Sequence, residues 1–172
     1  MEYQKIRLRA IEPEDLGLLY EWENNNSYWL ISNTIAPFSK YTLKRYISNS
    51  HRSIYETRQL RLMIELTEEN QTIGTIDIFD FDPFHHRAGI GILIADENQR
   101  RKGYATMALK CLCDYCFNTL QLHQLYCNIL INNKESIDLF KKAGFTEIGI
   151  KKEWIKTSEG YLDEIMFQLI KQ

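Results

Sequence analysis

The chain of 172 residues has no long apolar run, no apolar leader and no excess of one charge. No apolar stretch approaches the roughly 18 residues that a membrane span needs, and residues 1–5 do not have the pattern of a secretory signal. The 21 basic and 23 acidic side chains give a net charge of −2, so nothing overall attracts nucleic acid or an anionic membrane. These absences predict a cytoplasmic protein with no nucleic-acid partner and no membrane partner.

The chain also has no low-complexity linker, and we therefore expect residues 1–172 to form a single domain. Three of its four cysteines fall close together in one predicted helix. Helical spacing places Cys113 and Cys116 on the apolar stripe of that helix and Cys111 on another side. Because no paired set of ligands accompanies them, the cysteines are interpreted as small core residues, and we expect no metal site.

Apolar periodicity predicts an α/β fold of the mixed α+β kind, with about seven strands and about four helices. The predicted strands cover residues 5–9, 59–65, 72–79, 87–95, 124–130, 146–154 and 161–170. The predicted helices lie in residues 14–23, 39–55, 105–120 and 134–142, and the polar residues 24–27 are expected to break the first. Gly89 and Gly91 fall inside a strand, which favours a bulge or the close approach of another backbone or a ligand.

A basic, glycine-containing turn at residues 99–106 connects an apolar strand to the start of a helix. Free backbone N–H groups and the positive end of the helix dipole meet at such a position and favour an anion. Gly103 allows close approach, and Arg100, Arg101 and Lys102 add positive charge. The pattern predicts a phosphate-binding turn, and an ordinary basic surface turn is the alternative.

Two motifs resemble signatures of the GNAT superfamily of N-acetyltransferases. The first is Arg100-x-x-Gly103-x-Ala105, which resembles the superfamily's Q/R-x-x-G-x-G/A loop. The second, about 30 residues downstream, is Asn133-x-x-Ser136-x-x-Leu139-Phe140-x-x-x-Gly144-Phe145. The similarity covers essentially the whole chain and looks closest to bacterial spermidine/spermine N-acetyltransferases and ribosomal-protein N-terminal acetyltransferases. The resemblance implies the GNAT fold and an N-acetyltransferase that uses acetyl-CoA as its co-substrate.

The resemblance also implies which residues hold the coenzyme, along the end of one strand and over the basic turn. These residues are Leu93, Ile94, Ala95, Arg100, Arg101, Lys102, Gly103, Tyr104, Ala105, Thr106, Asn132, Asn133, Ser136, Phe140 and Lys142. Asn132-x-x-Glu135 also matches a capping box, so a structural role is the alternative for this pair of asparagines. Many relatives carry a tyrosine at the position of Phe140, and its hydroxyl protonates the leaving thiolate. Phenylalanine has no titratable group, so this role is not carried over.

Acidic residues on one predicted strand are the candidates for binding the acceptor. Asp77, Asp80 and Asp82 are expected to face one side, with His85 at the strand's end. Such a group can bind the ammonium groups of a polyamine, and the alternative is a wet sheet edge protected by charge. The spermidine-type relatives carry a glutamate where this chain has Gly89 and an acidic pair near its residues 32–33, which weakens the polyamine assignment.

The catalytic residues are left unassigned, and the candidates for proton transfer are Asp80, Glu97, Tyr104 and Tyr126. The leading hypothesis for function is direct acetyl transfer from acetyl-CoA to a small primary amine, with a polyamine such as spermidine as the acceptor. One alternative is N-terminal acetylation of a protein, such as a ribosomal protein. The other is a non-catalytic module that binds acyl-CoA. The sequence leaves open whether the protein is a homo-oligomer.

Overall fold

A computed structural model describes residues 1–171 of the chain, in which one mixed sheet is the central element. Its strands are β1 (Glu2–Tyr3), β2 (Ile6–Arg9), β3 (Leu60–Leu66), β4 (Thr72–Asp82), β5 (Arg87–Ile94), β6 (Gln124–Leu130), β7 (Thr146–Thr157) and β8 (Gly160–Ile170). The helices are α1 (Leu16–Glu23), α2 (Asn26–Ser32), α3 (Lys40–Ser48), α4 (Ile54–Thr57), α5 (Tyr104–Asn118) and α6 (Lys134–Lys142). Short 3-10 turns occur at Pro13–Asp15 and Glu97–Gln99. The predicted fold class is confirmed, whereas the predicted numbers of strands and helices were too low.

The sheet order is β1-β2-β3-β4-β5-β6-β8-β7, and within residues 1–171 only β5 and β6 are parallel neighbours. Helix α5 makes the crossover between these two strands. Their pairing begins at Arg87 and Gln124 and ends at Gly89 and Tyr126. No residues of β5 and β6 beyond this point pair with each other, so the two strands separate here. The middle of the sheet therefore contains a gap between Ile90–Ile94 of β5 and the second half of β6.

Helix α5 packs its apolar stripe against the sheet, and this contact forms the centre of the main core. Ala108, Leu109, Leu112 and Cys116 are fully buried on this helix. The expectation that Cys111 points away from the core was wrong, since its side chain is also buried. The physical reason is that β1 and β2 lie against α5 as well, so the helix is covered on more than one side.

The four cysteines are all free and buried, and burial raises the pKa of each thiol above its usual range. Within residues 1–171, no cluster of three or more histidine, cysteine or acidic side chains has the arrangement of a metal site. No helix in the same part of the chain is long and apolar enough to cross a membrane.

Two helices were missed in the sequence because polar residues interrupt the apolar pattern there. The predicted break at residues 24–27 contains the start of α2, where the side chain of Asn25 accepts a hydrogen bond from the N–H of Ser27. The predicted helix 39–55 is divided into α3 and α4. Ser53 and Glu56 form a capping box that begins the second of these. In both places a polar N-cap side chain starts a new helix soon after the preceding helix has ended.

Candidate active site

A cleft of about 590 Å³ opens where β5 and β6 separate. One wall comes from α1 and α2, a second from β3 and β4, and a third from β6, β7, β8 and α6. Ile90, Gly91, Ile92 and Leu93 of β5 lie at its centre. The parting of two parallel strands therefore places backbone groups of β5 at the base of a cleft that polar side chains surround.

The basic turn leads into α5 with the geometry that an anion site requires. Gly103 is the N-cap residue with a φ of 86°, and it has no side chain to cap the helix. The first helical hydrogen bond runs from the N–H of Met107 to the carbonyl of Gly103, at 3.1 Å. The preceding N–H groups, of Tyr104, Ala105 and Thr106, therefore have no acceptor within the helix. Three free donors and the helix dipole converge on one point.

The three basic side chains of the turn point in different directions. Arg100 Nε donates to the carbonyl of Ile94 at 3.0 Å, and its Nη2 donates to the hydroxyl of Tyr28 at 2.9 Å. Arg101 Nη2 donates to Glu135 on α6 at 2.7 Å, and Lys102 Nζ donates to Gln99 at 2.9 Å. The guanidinium of Arg100 is thus bonded within the protein, whereas Arg101 and Lys102 lie at the surface.

The end of β5 was predicted to contact the coenzyme, and only part of it borders the cleft. Leu93 lines the cleft, whereas Ile94 and Ala95 do not. The N–H of Ala95 donates to the carbonyl of Ile73 at 2.9 Å. Its own carbonyl accepts from the hydroxyl of Tyr28 at 3.0 Å. The backbone of Ile94 and Ala95 is therefore occupied by contacts within the protein.

The second motif forms the start of α6 and contributes to the cleft. Asn133 is the N-cap residue, and its side chain accepts from the N–H of Ser136 at 3.2 Å. The predicted capping box at Asn132 was wrong, because Glu135 pairs with Arg101 instead. Asn133, Ser136 and Phe140 line the cleft, whereas Asn132 and Lys142 are exposed outside it.

Phe140 is buried beside the cleft and does not offer a proton. Its ring packs edge-to-face against Phe145, with the ring centroids 5.0 Å apart. Only 3% of Phe140 is exposed, yet it belongs to the lining of the cleft. The position at which many of the similar N-acetyltransferases carry a tyrosine hydroxyl is therefore apolar in this protein.

The acidic residues of β4 do not all reach the same place. Asp77 and Asp80 line the cleft, and Asp82 and His85 do not. A bulge at Asp80, which has a φ of 48°, shifts the pairing with β5 by one residue. Asp82 instead accepts the N–H groups of Phe84 and His85 in the following turn, at 3.1 and 3.0 Å. The bulge directs two carboxylates to the cleft and leaves the third to stabilise the turn.

Of the four candidates for proton transfer, only Asp80 borders the cleft. The hydroxyl of Tyr126 donates a hydrogen bond to Asp80 at 2.9 Å. Burial together with this hydrogen bond raises the pKa of Tyr126 to about 12. The side chain of Glu97 is 75% exposed and lies 3.5 Å from Arg100, outside the cleft. Tyr104 is the first residue of α5 and packs against the core.

Two ion-pair groups in the cleft were not identified from the sequence. In the first, Arg61 Nε lies 2.6 Å from Asp77, and the same guanidinium contacts Glu23. Burial alone lowers the pKa of Arg61, but the two carboxylates outweigh this effect and raise it. Arg61 and Asp77 are cross-strand partners in the pairing of β3 with β4. The sequence signal was therefore present, but it becomes visible only when the strand register is known.

The second group lies on the opposite wall. Lys151 Nζ donates to Glu164 at 2.9 Å and to Asn128 at 3.0 Å, so it connects β7, β8 and β6. Lys151 and Glu164 are also cross-strand partners. Among the described residues that line the cleft, the carboxylates are Glu23, Asp77, Asp80 and Glu164, and the cations are Arg61 and Lys151. The cleft therefore has an excess of negative charge.

Comparisons with known proteins agree with this arrangement. The profile of the acetyltransferase (GNAT) domain matches residues 5–146. The spermidine N(1)-acetyltransferase of Vibrio cholerae is 29% identical over 148 residues, which cover 84% of this chain and 81% of that protein. A crystal structure of spermidine N-acetyltransferase from Vibrio cholerae, in complex with CoA and spermine, has a TM-score of 0.88 at 23% identity. The aligned region covers 98% of this chain and 96% of the chain in that crystal structure.

A dodecameric structure of spermidine N-acetyltransferase from Vibrio cholerae has a TM-score of 0.81 at 26% identity, covering 98% of this chain and 95% of that chain. The domain profile covers most of the sequence, and the solved structures share its fold over nearly the full length. The chain therefore belongs to the GNAT acetyltransferase family and is an acetyl-CoA-dependent N-acetyltransferase.

Proposed function

We propose that this protein transfers the acetyl group of acetyl-CoA to a primary amine of a polyamine such as spermidine. The observation that carries this proposal is the excess of carboxylates over cations in the cleft. A cleft lined by one sign of charge concentrates ligands of the opposite sign, and a polyamine carries several ammonium groups. The similarity to spermidine N(1)-acetyltransferases supports the same acceptor.

Asp80 is the carboxylate best suited to receive an ammonium group of the acceptor. Arg61 neutralises Asp77, and Lys151 neutralises Glu164. Asp80 has no cation partner within residues 1–171, and its contact is the neutral hydroxyl of Tyr126. A polyamine that enters the cleft can therefore pair with Asp80 without displacing a protein cation.

We further infer that the coenzyme crosses the gap between β5 and β6. The diphosphate is assigned to the free N–H groups of Tyr104, Ala105 and Thr106 at the start of α5, beside Gly103. Arg101 and Lys102, which immediately precede Gly103, provide positive charge at the surface beside this position. The pantetheine arm is assigned to the gap, bordered by Leu93, Asn133, Ser136 and Phe140. This assignment does not include Arg100, Ile94, Ala95 or Asn132, whose polar groups lie elsewhere.

The proposed reaction is direct attack by the neutral amine on the acetyl carbon of the thioester, within a complex that holds both substrates. The C–N bond forms, the C–S bond breaks with its electron pair leaving on sulfur, and the proton that the nitrogen loses passes to water. Phe140 supplies no proton to the departing thiolate. An ordinary thiol has a pKa of about 8.5, so the thiolate is a tolerable leaving group near neutral pH. No general acid or general base is assigned.

The acceptor is tested by measuring free thiol release from acetyl-CoA with spermidine, a diamine, a monoamine, an amino sugar and a peptide with a free N-terminus. We expect kcat/KM to rise with the number of ammonium groups. Asp80→Asn should raise the KM for spermidine about tenfold, which corresponds to about 1.4 kcal/mol of lost binding. The KM for acetyl-CoA should stay unchanged. A higher kcat/KM with the peptide would instead indicate N-terminal acetylation of a protein.

The matched control is Asp138→Asn, because Asp138 is an exposed carboxylate on α6 that does not border the cleft. This variant should leave both KM values unchanged. Equal effects of the two substitutions would mean that net charge, and not the position of Asp80, determines acceptor binding.

We also infer that the protein forms a homo-oligomer. The dodecameric relative from Vibrio cholerae supports this inference. So does the exposed edge strand β7, which presents the apolar side chains of Ile148, Ile150 and Trp154 to solvent. Light scattering on the purified protein should give a mass several times that of one chain, and a monomeric mass at micromolar concentration would contradict it.

A further inference from the structure

Tyr28 of α2 connects the acceptor side of the cleft to the turn that leads into α5. Its side chain is 7% exposed, and the residue lines the cleft. The hydroxyl donates to the carbonyl of Ala95 at 3.0 Å and accepts from Arg100 Nη2 at 2.9 Å. A tyrosine hydroxyl has one proton to donate, and here that proton is used. The phenol is therefore held by directional contacts on both sides.

Arg100 completes the connection from the other end. Its Nε donates to the carbonyl of Ile94, where β5 ends, and its guanidinium carbon lies 5.6 Å from the centre of the Tyr28 ring. One side chain thus fixes the end of β5, the start of the basic turn and the position of α2. A planar guanidinium with several donors suits this task, whereas the single ammonium of a lysine does not.

Tyr28 anchors α2 in the protein interior, and Trp29 Nε1 adds a hydrogen bond to the carbonyl of Glu23 at 3.0 Å. Within this seven-residue helix, Tyr28 is the buried residue, while Leu30 and Ile31 are 38% and 47% exposed. A helix of this length is not stable by itself and needs tertiary contacts. The end of α2 and the residue after it, through Leu30, Ile31, Ser32 and Asn33, form part of the cleft wall. The order of this wall is therefore linked to the hydroxyl of Tyr28.

We propose that Tyr28 and Arg100 are positioning residues that couple the two substrate sites. Acetyl-CoA bound at the start of α5 fixes the turn, the turn fixes Arg100, and Arg100 fixes α2. The acceptor then binds to an ordered wall, so its affinity is higher when the coenzyme is bound. Coupling of this kind is reciprocal, and the acceptor raises the affinity for the coenzyme by the same factor. The proposal rests on the coenzyme position proposed above.

The first test is hydrogen exchange of residues 26–33 with and without saturating CoA, which has no acetyl group to transfer. In the wild-type protein CoA should slow exchange of this segment about tenfold. In Tyr28→Phe, which keeps the ring and loses the hydroxyl, CoA should still bind but should no longer slow exchange. Tyr41→Phe is the matched control, because Tyr41 is 70% exposed on α3 and should behave like the wild type. Equal protection in the wild type and Tyr28→Phe, or no protection in the wild type with CoA bound, would overturn the proposal.

The second test uses Arg100→Lys, which keeps the charge and covers the case in which Tyr28→Phe does not fold. Calorimetry should show that CoA tightens spermidine binding about tenfold in the wild type and not at all in Arg100→Lys. Unchanged coupling in this variant would contradict the proposal. If CoA protects residues 26–33 but spermidine does not bind, the coupling is supported and the proposed acceptor fails. If CoA binds with equal affinity to Gly103→Asp, the proposed coenzyme position fails, and the coupling route through Arg100 fails with it.

Discussion

Phe79 of β4 occupies the space that a side chain at Gly89 of β5 would need. The two residues are cross-strand partners, and a Cβ atom at Gly89 would overlap several carbons of the Phe79 ring. That ring also packs edge-to-face with Tyr126, with centroids 5.8 Å apart. The glycine was predicted to mark a bulge or the close approach of a backbone or ligand. A bulge does lie next to this pair, and the group that approaches Gly89 is an aromatic side chain. A glutamate at this position is incompatible with Phe79, so any acidic contact to the acceptor must come from another residue.

Gly89→Ala should therefore move Phe79 and disturb the cleft wall. Overpacking of this kind costs about 1–3 kcal/mol, and we expect a lower free energy of unfolding and a lower kcat/KM for the amine. The matched control for stability is Gly91→Ala, because a Cβ there meets only Phe79 Cε1, at an ordinary 3.8 Å. Urea unfolding of the two variants measures the difference. Equal stability of both would show that the Phe79 ring shifts freely.

A substitution at Gly103 should lower the affinity for acetyl-CoA as well as the stability of the protein. Its φ of 86° disfavours any residue with a Cβ by about 1 kcal/mol or more. In Gly103→Ala we expect the turn to rotate, the free N–H groups to lose their alignment and the affinity for acetyl-CoA to fall about tenfold. Gly160→Ala introduces comparable strain at a φ of 131° in the β7–β8 turn. This variant should lower the free energy of unfolding without changing the affinity for acetyl-CoA that calorimetry measures. An equal loss of affinity in both variants would contradict an anion site at the start of α5.

Tyr126 should not act as the general acid. Its pKa is raised to about 12, so the hydroxyl stays protonated and holds its proton more tightly than free tyrosine does. Any loss of activity below pH 10 then comes from another group. Tyr126→Phe should leave kcat and the shape of its pH profile unchanged within about threefold, whereas loss of a general acid typically costs 10²-fold or more. Tyr161→Phe, at an exposed tyrosine of β8, is the control.

The fold and the start of α5 after the basic turn were predictable because their signals are local. Apolar alternation identified the long strands, and a glycine after basic residues identified the start of α5. These features depend on residues that are neighbours in the sequence, and the physical rules that act on them are short in range. Leu93 was instead singled out by the resemblance to N-acetyltransferases, and it does line the cleft.

The side chains that surround the acceptor were less predictable because their positions depend on register. Arg61 meets Asp77 only through the pairing of β3 with β4, and the bulge at Asp80 decides which carboxylates reach the cleft. Arg100 illustrates the same limit. Its charge indicated a phosphate ligand, but the fold brings Tyr28, 72 residues away, within hydrogen-bond distance. The residue type gives the charge of a side chain, whereas the fold determines which group that side chain contacts.

An ion-pair network remote from the cleft should determine how stability depends on pH. Arg9 bonds Asp15 at 2.7 Å and Glu65 at 2.6 Å, and the side chains of these two acids are 5% and 7% exposed. Burial alone raises the pKa of each acid, but the hydrogen bonds from Arg9, together with those from Arg7 and the N–H of Glu12, outweigh it and hold both pKa values below their usual range. The folded protein therefore binds fewer protons than the unfolded chain in mild acid.

The sign of the effect follows from this difference. Unfolded aspartate and glutamate titrate near pH 4, so the stabilisation is complete above about pH 5 and is lost as the pH falls through 4 towards the lower folded-state values. Arg9→Met leaves two buried carboxylates without their main partner, and we expect it to lower the free energy of unfolding at pH 7 by about 3 kcal/mol. The variant should lose less stability than the wild type between pH 5 and pH 3.5. Arg52→Met, which removes an exposed pair with Glu56, should parallel the wild type throughout. Urea unfolding at several pH values measures the free energy of unfolding of the wild type and both variants. If this free energy depends on pH in the same way in Arg9→Met and the wild type, the Arg9 network does not cause the pH dependence.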